Sequence, residues 1–167
     1  MRYFAFLGLA FVATLRTSSA SVDASTRTTV TVAANAYDER TSGFGCTPDG
    51  CLPENTLDGS RRSNSRWSCK KNLIATEGER CTIIYYFDDP QDIEKIRIAF
   101  YKGTENQRRL RVTLNGEYHS IIQSSGTSNG YQTFQIDSVQ TSELSLEARG
   151  LSGSDWIAIK EVKIKVD

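Results

Sequence analysis

Apolar and polar residues alternate with a period of two along most of the chain. Leu110-Arg111-Val112-Thr113-Leu114 puts its apolar residues on one face of an extended segment, and Ile96, Ile98 and Phe100 alternate with Arg97 and Ala99. Thr28 to Ala33 and Thr82 to Phe87 are rich in β-branched and aromatic residues, which suit a pleated surface. Asp88-Asp89-Pro90 is expected to stop the second of these. Asn115-Gly116 is a strong hairpin signal, and Tyr118, Ile121 and Ile122 then form the return strand. Gln132–Ile136, Leu144–Ala148 and Ile157–Val166 complete the set. In the last, Ile157 and Ile159 share one parity while Val162, Ile164 and Val166 share the other, so a bulge is expected near Glu161. No segment keeps a helical apolar spacing over three turns. About eight short strands with turn signals between them predict an all-β fold, a sandwich or jelly roll, as a single domain from about Arg27 to Val166.

The length of 167 residues agrees with one domain. The formal net charge is zero, which argues against a nucleic-acid-binding protein. A single histidine, His119, rules out a His-rich metal centre. Met1-Arg2-Tyr3, the apolar run Phe4–Leu15 and the small residues Ser18-Ser19-Ala20 have the layout of a secretory signal peptide over residues 1–20, with cleavage after Ala20 preferred and Ala24 as the alternative site. The apolar run is shorter than the roughly 20 residues of a spanning helix, so no membrane insertion is expected. Its removal takes two of the 20 basic residues, Arg2 and Arg16, and none of the 20 acidic ones.

Cys46, Cys51, Cys69 and Cys81 form an even set, which on a secretory route means two disulfides. Three connectivities are open. Thr47-Pro48-Asp49-Gly50 is a turn sequence that favours Cys46–Cys51. Cys69–Cys81 would close the loop Lys70–Arg80 between two apparent strands. A zinc site is the rival reading, but no C-x-x-C pair supports it.

Three blocks, in order, carry a family resemblance. Asn55-Thr56-Leu57-Asp58-Gly59 with Ser65-Arg66-Trp67-Ser68 resembles the N-x-L-D-G…[ST]-R-W-S signature of discoidin-like modules. These are also called F5/8 type C domains or family-32-like carbohydrate-binding modules. Lys95–Gly103 resembles the I-A-F-Y-K-G strand of the subgroup appended to alginate lyases, and Trp156–Ile164 resembles the closing W-x-x-I-x-E-V-x-I strand. The loop Asp58–Trp67 is slightly longer than usual and carries Ser60 where an acidic residue is common. The resemblance implies a discoidin-like β-sandwich. It also implies a structural Ca²⁺, with Asp58, Ser65 and Glu161 as ligands.

Binding fits these residues better than catalysis. Arg61, Arg62, Arg66, Lys70 and Lys71 make one basic stretch; Lys102, Arg108, Arg109 and Arg111 make another around Tyr101. Loops gather at one end of such a sandwich, so both stretches are expected in a single positive rim. Guanidinium groups pair with carboxylates, and aromatic faces stack on sugar rings. The candidate ligand-binding residues are Asp38, Arg66, Tyr101, Lys102, Arg108, Arg149 and Trp156. Arg66 has a second reading, a packed ion pair beside Trp67, and Trp156 either lines the site or packs inside. Asp38 belongs to the cluster Tyr37-Asp38-Glu39-Arg40 on the first long loop. The expectation is a secreted, monomeric, non-catalytic module for an anionic, uronate-type polysaccharide. A secreted protein-binding adhesion module is the alternative, and a uronate lyase or epimerase using His119 and Tyr118 comes third.

Overall fold

A computed structural model describes residues 20–21, 28–40, 45–46, 49–70, 80–137, 139–151 and 156–166. The expected leader (apart from Ala20) and Lys71 lie outside them.

Nine strands carry this part of the chain: β1 (Ala20–Ser21), β2 (Thr29–Ala34), β3 (Trp67–Lys70), β4 (Thr82–Phe100), β5 (Arg108–Leu114), β6 (Glu117–Gln123), β7 (Tyr131–Gln135), β8 (Gln140–Leu151) and β9 (Trp156–Val166). Among the described residues the only helical element is one 3-10 turn, Pro53–Thr56. All pairings are antiparallel. A first sheet runs β1-β2-β4-β8-β5-β6, and a second runs β3-β9-β4-β7.

β4 belongs to both sheets. Thr82–Asp92 pairs with β2 and β8 in the first, and Ile93–Phe100 pairs with β7 and β9 in the second. Asp88-Asp89-Pro90 therefore does not end the strand. The register against β8 slips between Tyr86 and Gln91, so the proline falls where no ladder hydrogen bond is demanded of it. The chain bends there and changes sheet. The expected bulge in β9 is present, for Ala99 pairs with Glu161 and Phe100 with Ile159, leaving Lys160 over. That extra residue lets Ile157, Ile159, Val162 and Ile164 all be buried. Ala20 and Ser21 pair with Val30 and Thr29, so the first sheet reaches N-terminally beyond Arg27.

The core lies between the sheets. Val32, Ile83, Tyr85, Leu110, Val112, Leu144 and Leu146 from the first sheet meet Trp67, Ile96, Ile98, Phe100 and Ile157 from the second in one buried cluster. Burying an aliphatic side chain of this size contributes about 1.5–3 kcal/mol. Trp67 and Tyr85 keep their polar tips satisfied: Trp67 Nε1 donates to the Ala36 carbonyl at 2.9 Å, and the Tyr85 hydroxyl meets Thr56 Oγ1 at 3.0 Å. Both disulfides take the locally favoured pairing, Cys46–Cys51 and Cys69–Cys81.

Candidate binding cleft at Trp156

An open cleft of about 730 Å³ is lined by Asn35, Ala36, Tyr37, Asp38, Glu39, Arg40, Lys70 and Trp156. Three pieces of chain build it. The segment 35–40 leaves β2, Lys70 ends β3, and Trp156 opens β9 directly opposite Lys70.

The segment 35–40 is fixed at several points. Asn35 accepts from the Thr82 amide at 3.0 Å and donates through Nδ2 to the Arg80 carbonyl at 2.8 Å. The Asp38 amide donates to the Ser68 carbonyl at 2.8 Å, and Cys51 N–H donates to the Asp38 carbonyl at 2.7 Å. Cys46 N–H donates to the Arg40 carbonyl at 2.9 Å. Each disulfide thus backs one wall: Cys46–Cys51 is bonded to the Asp38–Arg40 backbone, and Cys69–Cys81 adjoins Lys70 and Arg80. A loop held this way loses little conformational entropy on binding.

Trp156 has two cations close to its ring, Arg40 at 5.2 Å and Lys70 at 5.7 Å from the centroid. Arg40 also grips Asp38, with Nε 2.9 Å from Oδ1 and Nη2 2.7 Å from Oδ2. That hydrogen bond outweighs burial and holds the Asp38 carboxyl below the usual carboxylate range. Asp38 is therefore ionised and engaged by Arg40. The cleft offers an aromatic face, an ammonium and the rest of a guanidinium, with the exposed Glu39 carboxylate also on its lining.

The expected site residues divide. Asp38 and Trp156 line the cleft. Arg66 is buried behind it, stacked on the Tyr101 ring at 4.4 Å, donating to Ser68 Oγ and the Ser63 carbonyl, with Asp38 in electrostatic reach. Burial pulls its pKa down. Arg66 and Tyr101 thus support the cleft rather than line it. Lys102 is engaged with Glu105 at 2.9 Å, and Arg149 with Glu147 at 2.9 Å; neither lines the cleft. Arg108 is 4% exposed, because alternation along β5 turns it inward and Arg109 outward.

The two basic stretches are also divided between the sheets rather than gathered in a single rim. Arg111 stands over Tyr118 on the first sheet, whereas Arg61 stands over Tyr131 on the second. Sequence reasoning missed Asn35 and the role of Arg40. An Asp-x-Arg spacing on a loop is a weak signal, and only the backbone anchoring aims Arg40 at Trp156.

The expected calcium ligands do come together. Asp58 Oδ1 accepts the Ser60 amide at 2.7 Å, and Oδ2 accepts the Ser65 hydroxyl. The buried Glu161 carboxyl meets Asp58 and the Gly59 amide, while its Oε2 has no hydrogen-bond partner. Burial first, then the Asp58 charge, pushes Glu161 up to about 8.

No protein-family model and no curated protein matches the sequence. Solved structures do match. The family-32 module of AlyQ, solved with 4,5-unsaturated mannuronic acid, is 22% identical with a TM-score of 0.65, over 89% of this chain and 98% of that one. A pectin-binding module is 21% identical with a TM-score of 0.63, over 80% and 88%. The family-32 module of NanJ from C. perfringens, solved with galactose, is 16% identical with a TM-score of 0.56, over 81% and 92%. The fold is that of the family-32 carbohydrate-binding modules.

The motifs that resemble the family-32 modules now have structural places. Asn55 Nδ2 lies 3.1 Å from both the Gly50 and Arg66 carbonyls, tying the start of the N-x-L-D-G block to the R-W-S block. In the Tyr101-Lys102-Gly103 turn, Lys102 has φ +52°, and a Cβ on Gly103 would lie 2.1 Å from the Ser128 carbonyl oxygen. Only glycine permits that approach.

Proposed function

We propose that this chain is a secreted, non-catalytic carbohydrate-binding module that holds an acidic, uronate-type polysaccharide in the cleft at Trp156. The observation that carries this reading is the aromatic ring flanked by Arg40 and Lys70 on a disulfide-braced wall. A sugar ring stacks on Trp156 while its carboxylate meets Lys70 and the remaining Arg40 donors. The similarity in fold to modules solved with sugars supports carbohydrate as the ligand class. Two disulfides favour an oxidising, extracellular compartment.

The test is an array of alginate, pectate, sulfated and neutral polymers. Retention by the uronate polymers is expected, and no retention by any glycan overturns the reading. Release of unsaturated uronate products, followed by ultraviolet absorbance, would replace it with a lyase.

We also propose that Asp58, Ser65 and Glu161 hold Ca²⁺. Two carboxyls pressed together with a hydroxyl, one buried oxygen lacking a partner, form the hard-oxygen set that calcium takes, with further oxygens supplied by the loop or by water. The ion would neutralise the two carboxylates and pin the 58–65 loop to β9.

A further inference from the structure

The outer face of the second sheet carries an array of cations. Arg97 lies opposite Lys163, and Lys95 opposite Lys165, in alternate positions of the β4–β9 ladder on either side of the inward pair Ile96–Ile164. Like charges directly opposed across strands destabilise a sheet. The core needs only the inward partners Ile96, Ile98, Val162 and Ile164, all buried.

Glu94 takes Lys95 and Lys165 in ion pairs. Arg97, Lys163 and Arg61 form no ion pair among the described residues and converge on one ring instead. Their charged groups lie 4.9, 5.4 and 5.2 Å from the centroid of Tyr131 on β7. Three cations around one half-buried aromatic repel each other, so a partner that supplies negative charge is favoured here. Glu161 lies within electrostatic reach of Lys163 and Tyr131, but its carboxyl also faces Asp58, so one shared acid stands against three cations. None of these residues lines the cleft.

We propose that this face is a second binding surface, a flat electrostatic track for a linear polyuronate chain. Neighbouring strands set cations about 4.8 Å apart across the sheet, with a repeat near 7 Å along each strand. A polymer bearing one carboxylate per sugar, lying over several strands, meets several of them at once. The choice of polyuronate over other polyanions rests on the carbohydrate reading of the cleft. The surface itself does not, and the two fail separately.

The experiment compares wild type, R97Q/K163Q, R61Q and W156A by affinity electrophoresis in gels containing long-chain alginate, each against a ligand-free gel, and by calorimetry with a short mannuronate oligosaccharide. The expected result is a several-fold loss of long-chain affinity for R97Q/K163Q, a smaller loss for R61Q, and unchanged oligosaccharide binding for both. W156A loses oligosaccharide binding yet keeps salt-sensitive retardation by the long chain. The long-chain contribution should vanish near 1 M salt, where screening acts within about 3 Å. Melting temperatures of the two cation variants should stay close to wild type, because relief of like-charge repulsion offsets the lost contacts with Tyr131. Wild-type retardation of R97Q/K163Q and R61Q would overturn the proposal. So would equal binding of wild type to alginate and single-stranded DNA, which would make the face a general polyanion surface.

Discussion

Trp156 has Arg40 and Lys70 beside its ring, and in the proposed site that ring gives a sugar its face. Stacking anchors of this kind commonly account for about 2 kcal/mol or more of binding free energy. Trp156→Ala is therefore expected to weaken oligosaccharide binding at least about tenfold, read by calorimetry. Asp38 predicts a pH effect. Its folded pKa is depressed by Arg40, so its stabilising contribution is present above the unfolded carboxylate value near 3.9 and is lost as pH falls through the folded value. Asp38→Asn should melt lower than wild type at pH 7 and lose less on acidification to pH 3. Asn115 was legible as a turn residue, and its φ of +50° with Gly116 at +79° bears that out. Its side chain does more, accepting from Thr141 Oγ1 at 2.8 Å and Ser142 N–H at 2.9 Å while donating to the Gln140 carbonyl at 3.1 Å. Asn115→Gly keeps the turn but removes those bonds, and should cost about 1–3 kcal/mol in denaturant unfolding.

At the scale of elements, alternation revealed most strands because one face of each is buried. It revealed inward and outward positions less well where a register slips. The β9 bulge was legible because its apolar parity visibly switches at Glu161, whereas Asp88-Asp89-Pro90 looked like an end and is a crossing between sheets. β3 was hard to read because its four residues have no alternation to show, with Trp67, Ser68 and Cys69 all buried. Arg108 was misplaced for the opposite reason: a charged residue in an alternating strand was read as surface, yet the parity of Leu110 and Val112 already points it inward. The disulfides act at this scale too. A bridge closing a loop the size of Cys69–Cys81 stabilises by about 3 kcal/mol. Replacing both cysteines by serine should lower the melting temperature and weaken glycan binding, because Lys70 and Arg80 lose their tether.

For the whole molecule, zero net charge conceals an uneven distribution. One concave cleft pairs Asp38 with Arg40, while one flat sheet face concentrates cations around Tyr131. Local sequence cannot show this, because Arg61, Arg97 and Lys163 are distant in the chain and meet only through sheet pairing and the 58–65 loop. The same loop ties stability to the proposed ion. With Ca²⁺ bound to the native state alone, stability rises with ion concentration. EDTA should therefore lower the melting temperature of wild type and leave Glu161→Gln unchanged; an EDTA-insensitive wild type would argue against the site.

Isothermal titration of the protein with a defined mannuronate oligosaccharide, beside the same titration of Trp156→Ala, addresses the cleft directly. Saturable binding by wild type, reduced about tenfold or more in a variant that melts like wild type, is the predicted result. Equal affinity in the two proteins, or no binding of any uronate oligosaccharide by wild type, would contradict the assignment of the cleft at Trp156 as a carbohydrate site.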